Sequence, residues 1–267
     1  MTYPIAMSIL EKIIQDKKKE VQLRKAMLPA SKLEGFGLFD RQTVSLKNTL
    51  KAQPIGIIAE HKRRSPSRAV INQDCSVSDI VEGYAAAGAG GISILTDGKY
   101  FGGSLDDLLL ARASTALPLL RKEFIIDPYQ ILEARAYGAD AVLLIAAVLS
   151  KEALKSLCAS AHALDLEVLL EVHSRAELEF SLDAGADLIG VNNRNLKTFE
   201  VSLEISRELS GLIPEAVGKI SESGLKTPDQ IRELKKLGFD GFLMGETFMK
   251  TAQPGKALGD FLKKTRE

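Results

Sequence analysis

The feature that most constrains the fold is a pattern that occurs four times: a glycine, a small or acidic residue, and then an apolar run. The four glycines are Gly88, Gly138, Gly185 and Gly238, which are spaced 50, 47 and 53 residues apart. Glycine adopts left-handed backbone angles readily, so each one can end a helix and turn the chain into a strand. Each interval has room for two strand–helix units, because one unit takes on the order of 25 residues.

Further apolar runs fill these intervals and complete a series of eight predicted strands. They cover residues 119–122, 167–171 and 216–221, and another run at 55–60 precedes the first glycine. Helix-start signals, a capping residue followed by proline, occur at Asp127-Pro128 and Thr227-Pro228. The alternation predicts an α/β fold, a (β/α)8 TIM barrel with right-handed crossovers. A doubly wound open sheet is the alternative, but it would want a Gly-x-Gly-x-x-Gly turn after its first strand, which the sequence lacks.

Residues 1–50 precede the first predicted strand, and we expect them to form a helical N-terminal extension of one barrel domain spanning residues 1–267. Ser8 and Glu11 have the spacing of a capping box. A helical apolar stripe that could pack on the barrel follows, at Ile9, Leu10, Ile13, Ile14 and Val21. The lysines at 17–19 are expected on a solvent-exposed face.

The charge balance and the cysteine content exclude several classes of function. Lys plus Arg and Asp plus Glu both total 35, so no global field attracts nucleic acid or an anionic membrane. Cys75 and Cys158 do not suggest a disulfide framework, and no Cys-x-x-Cys motif or Cys/His cluster predicts a metal site. The longest apolar stretch, residues 141–149, is too short to span a bilayer. We expect a cytoplasmic protein without nucleic-acid or membrane partners, either a monomer or a weak homo-oligomer.

Charged and amide side chains stand where five of the predicted strands end. Ionisable groups are costly there unless they pair or take part in chemistry, and the carboxyl ends of TIM-barrel strands carry the active site. Any one of these residues could be a salt bridge on the rim, but together they predict a catalytic site. The residues expected on this rim are Glu60, Lys62, Lys122, Glu171, Asn192, Glu222 and Ser223.

Lys122 lies between two apolar runs, at 118–120 and 124–126. Burial favours the neutral form of a lysine and nearby carboxylates favour the charged form, and the balance can leave the side chain able to give a proton at neutral pH. The alternative is a rim lysine whose ammonium reaches water.

Two glycine-containing turns predict a phosphate site. They lie at 221–224 and 244–246, after the seventh and eighth strands, where TIM barrels commonly bind phosphate through backbone N–H groups. Ordinary turn chemistry is the alternative. Glu246 can contribute only its backbone amide, with the carboxylate facing away, because a carboxylate repels phosphate. The basic loop that contains Ser65 also suits an anionic ligand.

Several longer motifs resemble those of the indole-3-glycerol-phosphate synthase family. They occur in order between about residues 55 and 250, after a helical extension that this family also carries. The motifs are IAEHKRRSPS at 58–67, SILTD at 93–97, FGGS at 101–104, LRKEFIIDPYQ at 120–130, LEVH at 170–173, GVNNRNL at 190–196 and SESG at 221–224.

The resemblance implies an enzyme of tryptophan biosynthesis that needs no cofactor or metal. It would convert the phosphorylated small molecule 1-(2-carboxyphenylamino)-1-deoxyribulose 5-phosphate to indole-3-glycerol phosphate, by decarboxylation and ring closure. Lys122 would be the general acid that activates the substrate carbonyl, and Glu171 would be the acid/base partner in dehydration. Lys62, held by Glu60, would bind the substrate carboxylate.

The remaining roles implied by the resemblance concern orientation and phosphate binding. Asn192, Glu222 and Ser223 would orient the substrate and the charged network, while Gly224, Gly245 and the amide of Glu246 would hold the phosphate with support from Ser65 and Arg194. The sequence departs from the family pattern at Glu123 and Ala69, which we expect to be peripheral. An apolar pocket for the aromatic ring could be formed by Phe101, Phe124 and Leu144.

Three other functions remain open from the residues alone. A lysine in the middle of a barrel also suits a Schiff-base aldolase. A phosphosugar isomerase would be expected to place a cysteine and an aspartate on strand ends, but Cys75 and Cys158 are not on predicted strands. A non-catalytic binding subunit is disfavoured by the presence of a complete set of acid, base and phosphate-binding residues.

Overall fold

The eight predicted strands form a closed parallel barrel. The computed structural model describes residues 8–66, 68–72, 75–195 and 198–267, and in these residues each strand pairs with the next in chain order while β8 pairs with β1. The strands are β1 Gly56–His61, β2 Gly91–Leu95, β3 Leu119–Lys122, β4 Ala141–Ile145, β5 Glu167–Val172, β6 Leu188–Asn192, β7 Gly218–Glu222 and β8 Gly241–Met244. The predicted TIM barrel is confirmed, and β1, β3, β5 and β7 begin and end within two residues of the bounds predicted for them.

Helices alternate with the strands and surround the barrel. They are α1 Ile9–Met27, α2 Ala30–Leu33, α3 Leu46–Lys51, α4 Val77–Ala87, α5 Gly98–Phe101, α6 Leu105–Ser114, α7 Pro128–Ala136, α8 Lys151–His162, α9 Arg175–Ser181, α10 Glu204–Ser210, α11 Pro228–Lys236, α12 Glu246–Met249 and α13 Pro254–Arg266, with 3-10 turns at Ala146–Val148 and Leu182–Ala184. In the parts of the chain that the structure describes, no helix combines the length and the apolar character needed to cross a membrane.

The four repeated glycines end helices as predicted. Gly88, Gly138, Gly185 and Gly238 have φ angles of 94°, 86°, 87° and 88°, in the left-handed region that favours glycine. Each one therefore reverses the chain from a helix or 3-10 turn into the strand that follows it.

Alternation along each strand separates two apolar layers. Leu120, Leu143 and Leu169 point into the barrel, whereas their neighbours Leu119 and Leu144 pack between the sheet and the helices. Because side chains two residues apart share a face, the inward series in β3 continues from Leu120 to Lys122. The polar residues that end the inward series are therefore aimed into the mouth of the barrel.

The N-terminal segment contacts both ends of the barrel. Ser8 and Glu11 form the predicted capping box at the start of α1. Leu46 and Leu50 of α3 pack against the interior layer at the amino-terminal ends of the strands. At the other end, Ile13 of α1 lines the cavity at the carboxyl ends of the strands. The division into a barrel and an extension over residues 1–50 stays a prediction.

Candidate active site

A cavity of about 220 Å³ opens at the carboxyl ends of the strands. Eleven of the twelve residues predicted for the site line it: Glu60, Lys62, Ser65, Lys122, Glu171, Asn192, Arg194, Ser223, Gly224, Gly245 and Glu246. The twelfth, Glu222, lies directly behind Lys122 and is buried. The barrel thus brings the whole predicted set together from six of its eight strands and the loops that follow them.

Lys122 is the centre of the charged network. Its Nζ lies 2.5 Å from Oε2 of Glu222 and 3.4 Å from Oε2 of Glu171. Burial alone would lower the pKa of Lys122, but Glu222, Glu171 and Glu60 outweigh burial and raise that pKa above its usual value. The side chain of Lys122 is only 15% exposed and is paired with these carboxylates, so it is not the rim lysine of the alternative interpretation, and its charged form is favoured.

Glu222 occupies the space that a glycine leaves open. A Cβ on Gly190 of β6 would lie 2.1 Å from Oε1 of Glu222, so any larger residue at position 190 would displace this carboxylate. That Oε1 atom is buried and has no hydrogen-bond partner among the described residues. Burial raises the pKa of Glu222 to about 7, with Lys122 opposing the shift and Glu171 adding to it. Glu222 is therefore the carboxyl group in the network that can carry a proton near neutral pH.

Glu171 is held ionised by its neighbours. Burial would raise its pKa, but Lys122 and His173 lower it below the usual range, and the side chain of Asn192 also hydrogen-bonds to it. The backbone N–H of Arg194 donates to Oδ1 of Asn192 at 3.0 Å, which fixes the orientation of that amide. The pKa shifts of Glu171 and Glu222 are opposite, so within this pair Glu171 is the ionised carboxylate and Glu222 is the one that can titrate.

Lys62 and Glu60 form a second ion pair in the same cavity as Lys122. Nζ of Lys62 lies 2.8 Å from Oε1 of Glu60, and the hydroxyl of Ser93 donates to the other carboxylate oxygen at 3.4 Å. Burial would raise the pKa of Glu60, but Lys62 and Lys122 lower it. Lys62 keeps 18% of its side chain exposed, so its ammonium is accessible from the cavity.

The turn after β7 has a strained backbone. Ser223 and Gly224 both have left-handed φ angles, of 66° and 74°, and a non-glycine residue in this region costs about 1–3 kcal/mol and is found most often at functional sites. The side-chain amide of buried Asn193 supports the turn by donating to the carbonyls of Glu222 at 2.9 Å and Ser223 at 3.1 Å.

Glu246 was expected to contribute only its backbone amide to the phosphate site, and its carboxylate is paired with another side chain. Its Oε1 accepts a hydrogen bond from Arg68 at 2.8 Å, and both side chains are 47% exposed. The carboxylate is thus paired at the surface, and its charge opposes the binding of an anion less than a free carboxylate would. Ser67, which belongs to the motif at 58–67, lies outside the described residues.

The apolar side of the cavity differs from the prediction in one residue. Phe101 and Phe124 line it as expected, with ring centroids 6.0 Å apart. Leu144 does not: it faces outward into the layer beneath the helices, and its neighbours Leu143 and Ile145 line the cavity instead. The strand β4 was predicted correctly, but the assignment of Leu144 to its inner face was wrong. Which of two alternating residues points inward depends on the register of the strand in the barrel.

Two further expectations were wrong, and they concern one ion cluster. Lys17 is not on a solvent-exposed face: it is 1% exposed, and its Nζ lies 3.0 Å from both Asp97 and Glu123. Glu123 is not peripheral, since it is buried directly after Lys122. A sequence signal for Lys17 existed, because its spacing of four residues from Ile13 and Val21 places all three on one helical face.

His173 was also missed by sequence reasoning. It is largely buried, with its Nε2 3.2 Å from Oε1 of Glu171. The available signal was its position two residues after Glu171, which in an extended segment puts both side chains on the same face.

The closed barrel, together with a mouth where lysines and glutamates converge on one cavity, defines the class of the protein as a (β/α)8-barrel enzyme. Residues 10–261 match the family model described as indole-3-glycerol phosphate synthase. The chain belongs to the indole-3-glycerol phosphate synthase family. The family and the enzyme class expected from the motifs, a carboxy-lyase of tryptophan biosynthesis, are thereby confirmed.

Relatives of known name share most of their length with this chain. The indole-3-glycerol phosphate synthase of Bacteroides thetaiotaomicron is 49% identical over 96% of this chain and 98% of its own length. Those of Polaromonas naphthalenivorans and Dehalococcoides mccartyi are each 44% identical, over 94% and 89% of this chain and 97% and 93% of their own.

Solved structures show the fold alone. A thiamine phosphate pyrophosphorylase from Pyrococcus furiosus superposes with a TM-score of 0.59 at 19% identity, covering 83% of this chain and 98% of its own. At this level of identity the likeness supports the barrel and says nothing about the reaction.

Proposed function

We propose that this chain closes the indole ring of indole-3-glycerol phosphate. The substrate is 1-(2-carboxyphenylamino)-1-deoxyribulose 5-phosphate, and the reaction releases one CO2 and one water. The observation that carries the proposal is the position of Lys122, a charged proton donor held by Glu222 and Glu171 inside a cavity with an apolar side.

Lys122 is assigned the proton transfer to the substrate carbonyl during ring closure. Its ammonium is held in the charged form because three carboxylates face it. A carbonyl oxygen that displaces the contact with Glu222 would receive a hydrogen bond from this ammonium, which stabilises the negative charge that develops when the ring carbon attacks. The carboxyl group on that ring carbon leaves as CO2 and restores the aromatic ring.

Glu171 is assigned to the dehydration that follows. Loss of water requires removal of one proton and protonation of the departing hydroxyl. An ionised Glu171 next to Lys122 supplies an acceptor beside a donor, 3.4 Å apart. Lys62, which is held by Glu60 at 2.8 Å and lines the cavity, is assigned to the substrate carboxylate and to assistance in the dehydration.

The phosphate is assigned to the turns after β7 and β8. Gly224, Gly245 and Glu246, whose backbone amides are assigned to the phosphate, line the cavity together with Ser65 and Arg194. Asn192, Glu222 and Ser223 are assigned to orientation of the substrate and the charged network. A cytoplasmic location, the absence of nucleic-acid and membrane partners, and a monomeric or weakly associated state stay predictions.

The raised pKa of Lys122 argues against the Schiff-base alternative. An imine forms from a neutral amine, and the surrounding carboxylates oppose that form. The isomerase alternative is disfavoured because Cys75 precedes α4 and Cys158 lies within α8, so neither is on a strand end.

Turnover of the anthranilate-derived ribulose phosphate, followed by indole fluorescence, tests the proposal. Lys122→Met keeps a similar volume and removes the proton, so kcat should fall by about 10²–10⁴-fold, the usual contribution of a general acid. Lys122→Arg should not restore turnover, because a planar guanidinium presents its donors in a different geometry from a compact ammonium. Lys155→Met, an exposed lysine of α8, serves as the control. Retention of more than about a tenth of kcat by Lys122→Met would remove this residue from the role.

A further inference from the structure

His173 lies between two carboxylates at the end of β5. Its Nε2 is 3.2 Å from Oε1 of Glu171, and its Nδ1 is 3.2 Å from Oε2 of Glu177 in α9. Only 10% of the side chain is exposed. The backbone N–H of His173 also donates to Oε2 of Glu177 at 2.8 Å, which fixes the distance between the ring and α9.

This geometry determines the charge of the ring. An ionised carboxylate only accepts hydrogen bonds, and a neutral imidazole has one nitrogen that carries a lone pair instead of a proton. With a carboxylate facing each ring nitrogen, a neutral ring would place that lone pair against a negative oxygen. The doubly protonated imidazolium is the form that fits both contacts, a hydrogen bond at Nδ1 and, at Nε2, an ion-pair contact that lacks hydrogen-bond geometry.

We propose that His173 is a positioning residue that, as an imidazolium held by Glu177, keeps Glu171 ionised and oriented towards Lys122. Oε1 of Glu171 faces His173, and Oε2 faces Lys122 at 3.4 Å, so each oxygen is assigned to a different cation. His173 therefore acts on the reaction through Glu171. The inference rests on the proposed role of Glu171.

The surroundings of the ring support a stable charge. The charged groups that face it are Glu171 from β5 and Glu177 from α9. The 3-10 turn Ala146–Val148, which packs on both β5 and α9, contains no ionisable side chain, and the nearby side chain of Asn192 from β6 is a neutral amide. Burial alone would lower the pKa of His173, but the two carboxylates outweigh it and raise the pKa to about 10.

The first experiment follows Glu171 by carbon NMR of the intact enzyme labelled with 13C at glutamate carboxylates, with Glu171→Gln to assign the signal. His173→Gln removes the charge, so the apparent pKa of Glu171 should rise by about 1–3 pH units, the usual effect of one nearby opposite charge. The acid limb of the kcat–pH profile should move in the same direction. His162→Gln, which removes a half-exposed histidine paired with Asp187, should change neither measurement. An unmoved Glu171 titration in a folded His173→Gln enzyme would overturn the proposal.

A second variant separates charge from packing. Glu177→Gln removes one of the two carboxylates, so His173 should lose its proton at lower pH than in the wild type while it stays charged below that pH. The acid limb of Glu177→Gln should therefore match the wild type, in contrast to His173→Gln. The ring 13C–1H signal of His173 should show an imidazolium at pH 8 in the wild type, and a neutral ring there would refute the inference even if His173→Gln fails to fold. If Glu171→Gln instead retained full turnover, the proposed role of Glu171 would fail while the NMR titrations still tested His173.

Discussion

Replacement of Lys17 by methionine should destabilise the protein far more than its place in a lysine-rich helix suggests. Nζ of Lys17 lies 2.8 Å from Glu20, 3.0 Å from Asp97 and 3.0 Å from Glu123, and the residue is 1% exposed. Burial alone would lower the pKa of Lys17, but Glu123, Asp97 and Glu20 raise it. Methionine preserves the packing of the aliphatic chain and leaves two buried carboxylates without this cation.

The expected loss of stability depends on the hydrogen bonds that Asp97 and Glu123 keep when Lys17 is replaced. Removal of one partner from a buried ion pair typically costs about 3–5 kcal/mol. Asp97 still accepts the N–H groups of Tyr100 and Phe101, and Glu123 still accepts the hydroxyl of Thr96 at 2.8 Å. We therefore expect the lower end, about 3 kcal/mol.

Urea denaturation at pH 7, followed by far-UV circular dichroism, measures this loss. With an m value of roughly 3 kcal/mol/M, the midpoint should fall by about 1 M. Lys18→Met on the exposed face of the same helix is the matched control and should change stability by no more than about 0.5 kcal/mol. Glu123→Gln should recover part of the loss when combined with Lys17→Met, because the two residues are in contact.

The stability difference between the wild type and Lys17→Met should depend on pH, and the pKa shift of Glu123 gives the direction. Burial would raise the pKa of Glu123, but Lys17 and Arg121 lower it, so its contribution to stability is present above its usual pKa and lost as the pH falls. The gap between wild type and Lys17→Met should therefore be full at pH 7 and narrow towards acid pH. Equal midpoints for Lys17→Met and Lys18→Met at pH 7 would refute the reasoning.

Two further predictions concern the anion site and Glu222. Crystals grown with sulfate should show the anion within hydrogen-bond reach of the amides of Gly224 and Gly245, and an anion bound only elsewhere on the rim would contradict the phosphate assignment. Because burial raises the pKa of Glu222 from 4.5 to about 7, the folded protein binds a proton across that interval that the unfolded chain releases, so Glu222 makes the free energy of unfolding fall as the pH rises. Urea midpoints of Glu222→Gln at pH 5 and pH 7 should lack this component, and equal pH dependence in variant and wild type would count against the raised pKa.

The strands and their ends were readable because their signals are local. An apolar run followed by Lys122 or Glu171 identifies a buried strand that ends in a polar group, and a glycine such as Gly138 marks the preceding helix end. Parallel strands place all their carboxyl ends on one rim. Side chains more than a hundred residues apart, such as Glu60 and Glu171, could therefore be assigned to one site before their distances were known.

What the sequence determined by itself was the order of strands and helices, the rim on which the chemistry lies and the family, since each depends on residue type and spacing along the chain. Only the tertiary structure decided that Leu143, and not Leu144, faces the cavity, that Lys17 is buried against Glu123, and that His173 lies between two carboxylates. The physical reason is that burial and the strength of a charge depend on what packs against a group in space. A lysine on a helix is predicted to be exposed unless a second element places a carboxylate next to it. The same contact determines which protonation state the lysine keeps.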